Sequence, residues 1–309
     1  MFQKQLVMRR VLYSMIPLFL FATYSYGWRV PLVVATVFVF GILTEYVVER
    51  TRKKKVSEAV LVTCAIFALA LPPMVPLWVA IIGIVFAVLL GKGVYGGFGR
   101  NIFNPAITGR LFIWISFPTI MMTEWVSPSF FGTDAVSSAT PLGMLRGGES
   151  LELADLFLGF HASSMGEASV LLILLAAVYL IWTKSANWRL MVSTLGTAAI
   201  LTTVFYRTGL DTGYAPEYAL MSGSLMYVSV FMATDPVSAP NKKLSMWVYG
   251  FIIGGMTVLV RSFADFPEGT SFGLLLGNTF ACLLDEIVTG LEKRKKEKTA
   301  TTAAAQQAG

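Results

Sequence analysis

The 309-residue chain reads as an all-α polytopic membrane protein of about ten transmembrane helices, in two inverted five-helix repeats joined by one long loop between helices 5 and 6. Three observations predict this class: scarce charge, recurring apolar stretches of spanning length, and a lopsided placement of Lys and Arg. Hydrophobic residues make up 55% of the chain and charged ones only 14%, against about 25% charged in soluble domains. Mean hydropathy is +0.68. A soluble core of this size needs a charged shell that these residues cannot supply, so lipid covers much of the surface.

The apolar stretches fall at 10–27, 30–48, 57–72, 76–91, 102–122, 168–183, 190–206, 218–233, 245–262 and 270–288. Most approach the roughly 20 residues a bilayer requires. With the N-terminus inside, 19 of the 24 Lys and Arg residues fall in cytoplasmic segments, including Lys92 and Arg100; Arg29, Arg110, Arg146, Arg207 and Arg261 remain. This asymmetry follows the positive-inside rule, puts both termini in the cytoplasm, and places roughly 118–167 on the outer face. The net charge of +6 therefore reports orientation; a nucleic-acid footprint is the poorer reading, because the charges sit in short loops and one tail. The first stretch has the basic start of a signal peptide, but no small-residue cleavage site follows Ser25-Tyr26-Gly27-Trp28, so it reads as a retained span. Cys64 and Cys282 lie in apolar segments and read as small buried hydrophobes, without disulfide or zinc spacing.

The spans split at the long loop. Residues 1–122 form a first repeat, 123–167 the outer loop, 168–290 a second repeat, and 291–309 a basic tail whose end after Lys298 reads as disordered. The third span of each half runs into prolines, at Leu71-Pro72-Pro73 and at Asp235-Pro236. Paired broken helices in inverted repeats point to a central site, since unwound backbone at depth must be buried or line a cavity. The plainer alternative is that the prolines end two helices near an interface.

Carboxylates in apolar surroundings come next. Glu45 lies within the second span, Asp285 near the inner end of the tenth, and Asp235 at the break after the eighth. A charge at the bilayer centre costs about 2.5–3.5 kcal/mol on insertion scales, so such groups face a bundle interior, a partner or an ion path. All three also lie near inner boundaries, where hydration removes much of that cost. Arg110, in the fifth span, is a partner for a carboxylate or a ligand phosphate. The Gly-rich stretch Gly91 to Ala106 carries Asn101 and Asn104, three apart, so that on a helical turn their amides share a face able to bond a planar polar ring. Asn104-Pro105 is a helix-start signal. A simple tight connection is the competing reading, and no Walker A lysine-hydroxyl pair is present.

In the outer loop stands Asp134-Ala135-Val136-Ser137-Ser138-Ala139-Thr140-Pro141-Leu142-Gly143. Its residues alone make it a small-residue turn presenting a hydroxyl and capping a following helix. It lacks the base a hydrolytic nucleophile needs, His161 being the only histidine in the chain.

This motif belongs to a series of blocks: Gly96 to Ala106, Ser137 to Leu142, Met165-Gly166-Glu167, Phe231 to Ala239, and Phe266-Pro267-Glu268-Gly269 running on to Asp285. Together they span nearly the whole chain. They resemble the family containing the D subunit of the Rnf complex, a ferredoxin:NAD oxidoreductase, and the B subunit of the sodium-pumping NADH:quinone reductase, Nqr. The resemblance implies FMN joined through a phosphoester to the threonine of a Ser-Gly-Ala-Thr motif. That position is Thr140, framed by Asp134, Ser137, Ser138, Ala139, Pro141 and Leu142, with Ser138 standing where the family usually has glycine. It implies a separate flavin transferase, and a second flavin, riboflavin in the Nqr relative, held non-covalently at Asn101 and Asn104. Glu45, Asp235 and Asp285 match acids associated with cation uptake.

The implied fold is similar to urea and ammonium channels, the implied place a bacterial or archaeal cytoplasmic membrane, and the implied partners the other proteins of the complex, Na⁺ or H⁺, and lipid. The early first span favours the Rnf relative, and Met165 to Ser169 leans towards Nqr. The rival expectation from another class is a flavin-free channel on the same fold, and a third is a purely structural assembly component.

Overall fold

In lipid, every backbone N–H and C=O must be paired within the protein, and long apolar stretches meet that demand as helices. The computed structural model describes residues 2–130, 138–147, 151–210, 215–264 and 269–307. The first half holds α1 (Leu6–Tyr26), α2 (Arg29–Thr51), α3 (Ala59–Leu69), α4 (Leu77–Val88) with a π-helical turn at Leu89–Gly93, and α5 (Pro105–Ser116). Short helices α6 (Pro118–Thr123), α7 (Pro141–Arg146) and α8 (Leu153–Leu158) lie in the connection between the halves. The second half holds α9 (Val170–Trp182), α10 (Trp188–Thr208), α11 (Pro216–Met221), α12 (Leu225–Tyr227) with a π-helical turn at Val228–Met232, α13 (Lys243–Phe263) and α14 (Gly269–Gln307). A two-residue parallel pairing of Phe2–Gln3 with Val56–Ser57 is the extended structure among the described residues.

Five of these helices are long and apolar enough to cross a membrane: α1, α2, α10, α13 and residues Gly269–Glu297 of α14. The other apolar stretches give shorter pieces, and each break has a local cause. The 102–122 stretch starts its helix only at Pro105 and is interrupted at Phe117-Pro118, because proline supplies no N–H to the preceding turn. The 218–233 stretch divides between α11 and α12 around Gly223, whose φ is +67°.

The helices pack in matching order in the two halves. α2 lies on α4 and α4 on α5; α10 lies on α13 and α13 on α14. Across the halves, α1 meets α9 and α5 meets α14. Small residues permit the closest approach: a Cβ added to Gly250 of α13 would collide with Ser193 of α10, and one added to Gly254 would stand 2.5 Å from the Thr194 carbonyl. Such contacts replace the hydrophobic drive that lipid cannot provide between helices. Large apolar side chains such as Leu20, Val39, Val178, Ile200 and Phe251 point outward instead.

Where α1 begins, Arg9 grips Glu58 through its Nε at 2.9 and 3.1 Å and its Nη2 at 2.5 Å, and the Gln5 N–H adds a fourth bond at 2.6 Å. The Arg9 guanidinium and that N–H hold the Glu58 carboxyl below its ordinary range. Its contribution to stability is therefore present above the unfolded carboxyl's pKa and is lost as pH falls through the lowered one. Glu58→Gln is expected to flatten this acid limb when melting of the detergent-solubilised chain is followed against pH.

Two expectations change. α14 continues through the basic run and the Ala- and Thr-rich stretch to Gln307, where composition suggests disorder; alanine, lysine and glutamate are strong helix formers, and the helix propagates through them. Cys64 is buried as expected, but Cys282 is exposed on α14, on a helix side turned away from the bundle.

Candidate functional site

A helix that stops inside a bundle leaves carbonyls needing donors. α3 stops at Leu69, ahead of Pro72, and the loop before α9 satisfies it: the Gly166 N–H donates to Leu69 O at 2.6 Å and the Met165 N–H to Leu71 O at 3.1 Å. From the other half, Tyr227 Oη donates to Ile66 O at 3.1 Å. Seating Met165 and Gly166 in this break brings Glu167 onto Arg110 of α5. The two form an ion pair, Nη1 to Oε1 and Nη2 to Oε2, the second contact at 3.5 Å. Arg110 is 1% exposed and Glu167 5%. Of the two partners open to Arg110 in the sequence, the carboxylate is the one observed.

This ion pair lines a cavity of about 310 Å³ that also contains Thr140. Thr140 is the N-cap of α7: its Oγ1 accepts the Gly143 N–H at 3.4 Å, and Pro141 occupies the first helical position. The Ser138 N–H donates to Trp125 O at 3.1 Å, tying the motif to the segment after α6. Leu142 and Leu145 pack on Ala219 and Tyr218 of α11. Beneath that contact, Arg261 donates to the carbonyls of Ala219 at 2.8 Å and Ser222 at 3.2 Å. Trp114, Trp125, Arg146, His161 and Ser164 belong to the same walls. Burial pushes the His161 imidazole below its ordinary pKa, so the ring is neutral at neutral pH, and among the described residues lining the cavity the charged ones are Arg110, Arg146 and Glu167. Asp134 and Ser137 lie outside the described residues; Ser138, Ala139, Thr140, Pro141 and Leu142 are described.

Gly223 fixes how α7 docks. Its φ is +67°, and an added Cβ would stand 2.7 Å from Leu142 Cδ1 and 3.0 Å from Arg261 Nη2. Gly223→Ala is expected to cost about 1–2 kcal/mol of backbone strain and to push Leu142 off α11. The check is faster proteolysis of the Thr140 segment at unchanged expression.

The other acids gather at the opposite end, where α2 finishes and α5 starts. Glu45 and Lys92 are 2% and 3% exposed. Lys92 Nζ lies 2.6 Å from Glu45 Oε2 and 2.8 Å from Ser57 Oγ, and Ser57 donates to Glu45 Oε1 through its hydroxyl at 2.7 Å and its N–H at 3.1 Å. Glu45 is thus tolerated because it is paired and fully bonded. Lys92, a cytoplasmic loop charge by its place in the sequence, is instead drawn into the π-helical turn after α4. Glu45 shares a cavity of about 530 Å³ with Glu49, one turn further along α2.

Asp235 faces two cavities, of about 50 and 350 Å³, while binding the Val237 N–H at 3.1 Å and Ser238 Oγ at 3.0 Å. Asp285 accepts the N–H groups of Asn241 at 2.7 Å and Lys242 at 3.0 Å, holding the start of α13. Asn101 and Asn104 line the 50 Å³ cavity with Asp235, but they do not share a helical turn. Asn104 caps α5, accepting the N–H groups of Ala106 at 3.0 Å and Ile107 at 3.4 Å and donating to Met232 O at 3.3 Å; Asn101 donates to Phe103 O at 3.0 Å. Each amide therefore also bonds its own turn, beside the cavity that both line with Asp235.

Fold and sites together define a helical membrane protein with a walled cavity under its connecting loop and paired charges at the far end. Residues 2–292 match the model of the NQR2, RnfD, RnfE family, and the chain belongs to that family. It is 34% identical to the D subunit of the proton-translocating ferredoxin:NAD(+) oxidoreductase complex of Clostridium ljungdahlii, over 91% of this chain and 88% of that one. It is 32% identical to the D subunit of the ion-translocating oxidoreductase complex of Actinobacillus succinogenes, over 91% of both. With the B subunit of the Na(+)-translocating NADH-quinone reductase of Azotobacter vinelandii it shares 35% identity over 82% of this chain, which spans only 65% of that relative's length.

Proposed function

We propose that this chain is the flavin-bearing membrane component of an ion-translocating electron-transport complex of the Rnf type, with FMN joined to Thr140 by a phosphoester. The observation that carries the reading is that the Thr140 hydroxyl, the motif's acceptor, borders a cavity of about 310 Å³ with tryptophan walls and two arginines. That volume is at the small end of ligand sites. Tryptophan faces suit a planar ring, and arginine suits phosphate or an electron-rich ring edge. Ser164 Oγ, on the same wall, is buried with no hydrogen-bond partner among the described residues, which fits a polar ligand.

The bound flavin supplies transfer of one or two electrons. The chain's own residues do the rest. Thr140 anchors the phosphate end, leaving the ring free; Trp114 and Trp125 exclude water from one side; Leu142 on α11 keeps the anchor in register. A separate flavin transferase forms the bond. Electron passage between partner proteins is coupled to Na⁺ or H⁺ movement. Among the acids, Asp235 is best placed to meet an ion, since it faces two cavities, whereas Glu45 is occupied by Lys92 and Asp285 by backbone. A second, non-covalent flavin belongs to the same reading, with Asn101 and Asn104 beside the Asp235 cavity as the residues that would bond it.

The likeness extends over 91% of this chain with the Rnf-type relatives and over 82% with the Nqr relative, which favours Rnf. The matched packing order of α2, α4 and α5 with α10, α13 and α14 supports a repeated architecture, and the Lys and Arg asymmetry of the sequence supports cytoplasmic termini with the Thr140 loop outside. Expression with and without a flavin transferase, then denaturing electrophoresis under ultraviolet light, tests the reading. A transferase-dependent fluorescent band is expected; a dark band, as for a flavin-free channel, contradicts it.

A further inference from the structure

The ion pair of Arg110 and Glu167, set in place by the loop in the α3 break, also borders the cavity of Thr140. It lies in the wall of the Thr140 cavity, nearly inaccessible to solvent, in a layer where Arg146 at the rim is exposed and His161 is neutral. Arg146 is also engaged elsewhere, donating to the carbonyls of Arg261 at 3.1 Å and Ala264 at 3.2 Å. Solvent screens a charge at the rim far more than one in the wall, so among the described residues lining the cavity Arg110 and Glu167 contribute most to its field, with buried Arg261 behind Gly223 as a fixed cationic background.

We propose that Arg110 and Glu167 set the reduction potential of the flavin carried by Thr140, with Arg110 favouring the reduced ring and Glu167 opposing it. The inference rests on the assignment of that flavin to Thr140. A flavin gains negative charge as it takes up electrons, and protonation offsets only part of it, so a nearby fixed cation favours reduction and a fixed anion disfavours it. With both charges present the two effects largely cancel. The pair is thus an adjustable bias, and its members act in opposite directions because their charges are opposite.

The test is a spectroelectrochemical titration of the Thr140-linked flavin, read by its absorbance and independent of turnover. Glu167→Gln is expected to shift the reduced-to-oxidised equilibrium about tenfold towards reduction, a rise of about 30 mV for a two-electron couple. Arg110→Gln is expected to shift it about tenfold the other way, and the double variant to return close to the original value. Should Arg110→Gln fail to accumulate, the sign and size of the Glu167→Gln shift decide. An unchanged potential in Glu167→Gln, or shifts of the same sign in both single variants, would overturn the inference while leaving the flavin assignment intact. A wild-type chain without linked flavin would overturn both.

Discussion

Thr140→Ala is expected to abolish transferase-dependent fluorescence of the denatured chain while leaving the helical bundle folded. These outcomes separate because Thr140 contributes little to the fold itself. Its hydroxyl accepts one long cap bond, 3.4 Å from the Gly143 N–H, and losing an N-cap costs about 1 kcal/mol. α7 stays docked through Leu142 and Leu145 on α11. A fluorescent Thr140→Ala chain would mean that another residue carries the flavin. In-gel fluorescence beside a size-exclusion profile in detergent reads both outcomes at once.

The second large effect belongs to the far end of the bundle. Lys92→Met leaves Glu45 buried with only Ser57 for company and is expected to destabilise by about 3–5 kcal/mol, the usual consequence of breaking a buried ion pair from one side. Glu45→Gln, which strands the ammonium, is expected to do the same. The double variant removes both charges and should recover most of the loss, since an uncharged pair carries no comparable desolvation penalty. Melting of the four proteins in detergent closes the cycle. Additive losses would show that Lys92 and Glu45 are not coupled.

Much of the fold was legible because a membrane span is a local property. α1, α2, α10 and α13 lie within a few residues of the apolar stretches, and the Asn104-Pro105 start appears as the cap of α5. The Thr140 turn also reads locally, and its capping role stands as its residues suggest. What stayed hidden depends on distant partners. Lys92 sits between two glycines and looks like a loop charge; only its approach to Glu45, 47 positions away, reveals a buried ion pair. Arg110 and Glu167 are 57 positions apart, and nothing in either segment announces that Met165 and Gly166 fill the break in α3. The oxygens of Asp285 hold the N–H groups of Asn241 and Lys242, more than 40 positions away, a contact that hydropathy cannot register. The amides of Asn101 and Asn104 were read as a helical face, whereas capping and turn formation claim them first.

The central claim is a covalent bond at one atom, and peptide mass spectrometry addresses it directly. The chain, expressed with a flavin transferase and digested, is predicted to yield a peptide containing Thr140 heavier by FMN less one water, with fragmentation placing the addition on Thr140. An unmodified Thr140 peptide from a chain co-expressed with active transferase, or an addition mapped to another residue, would contradict the account.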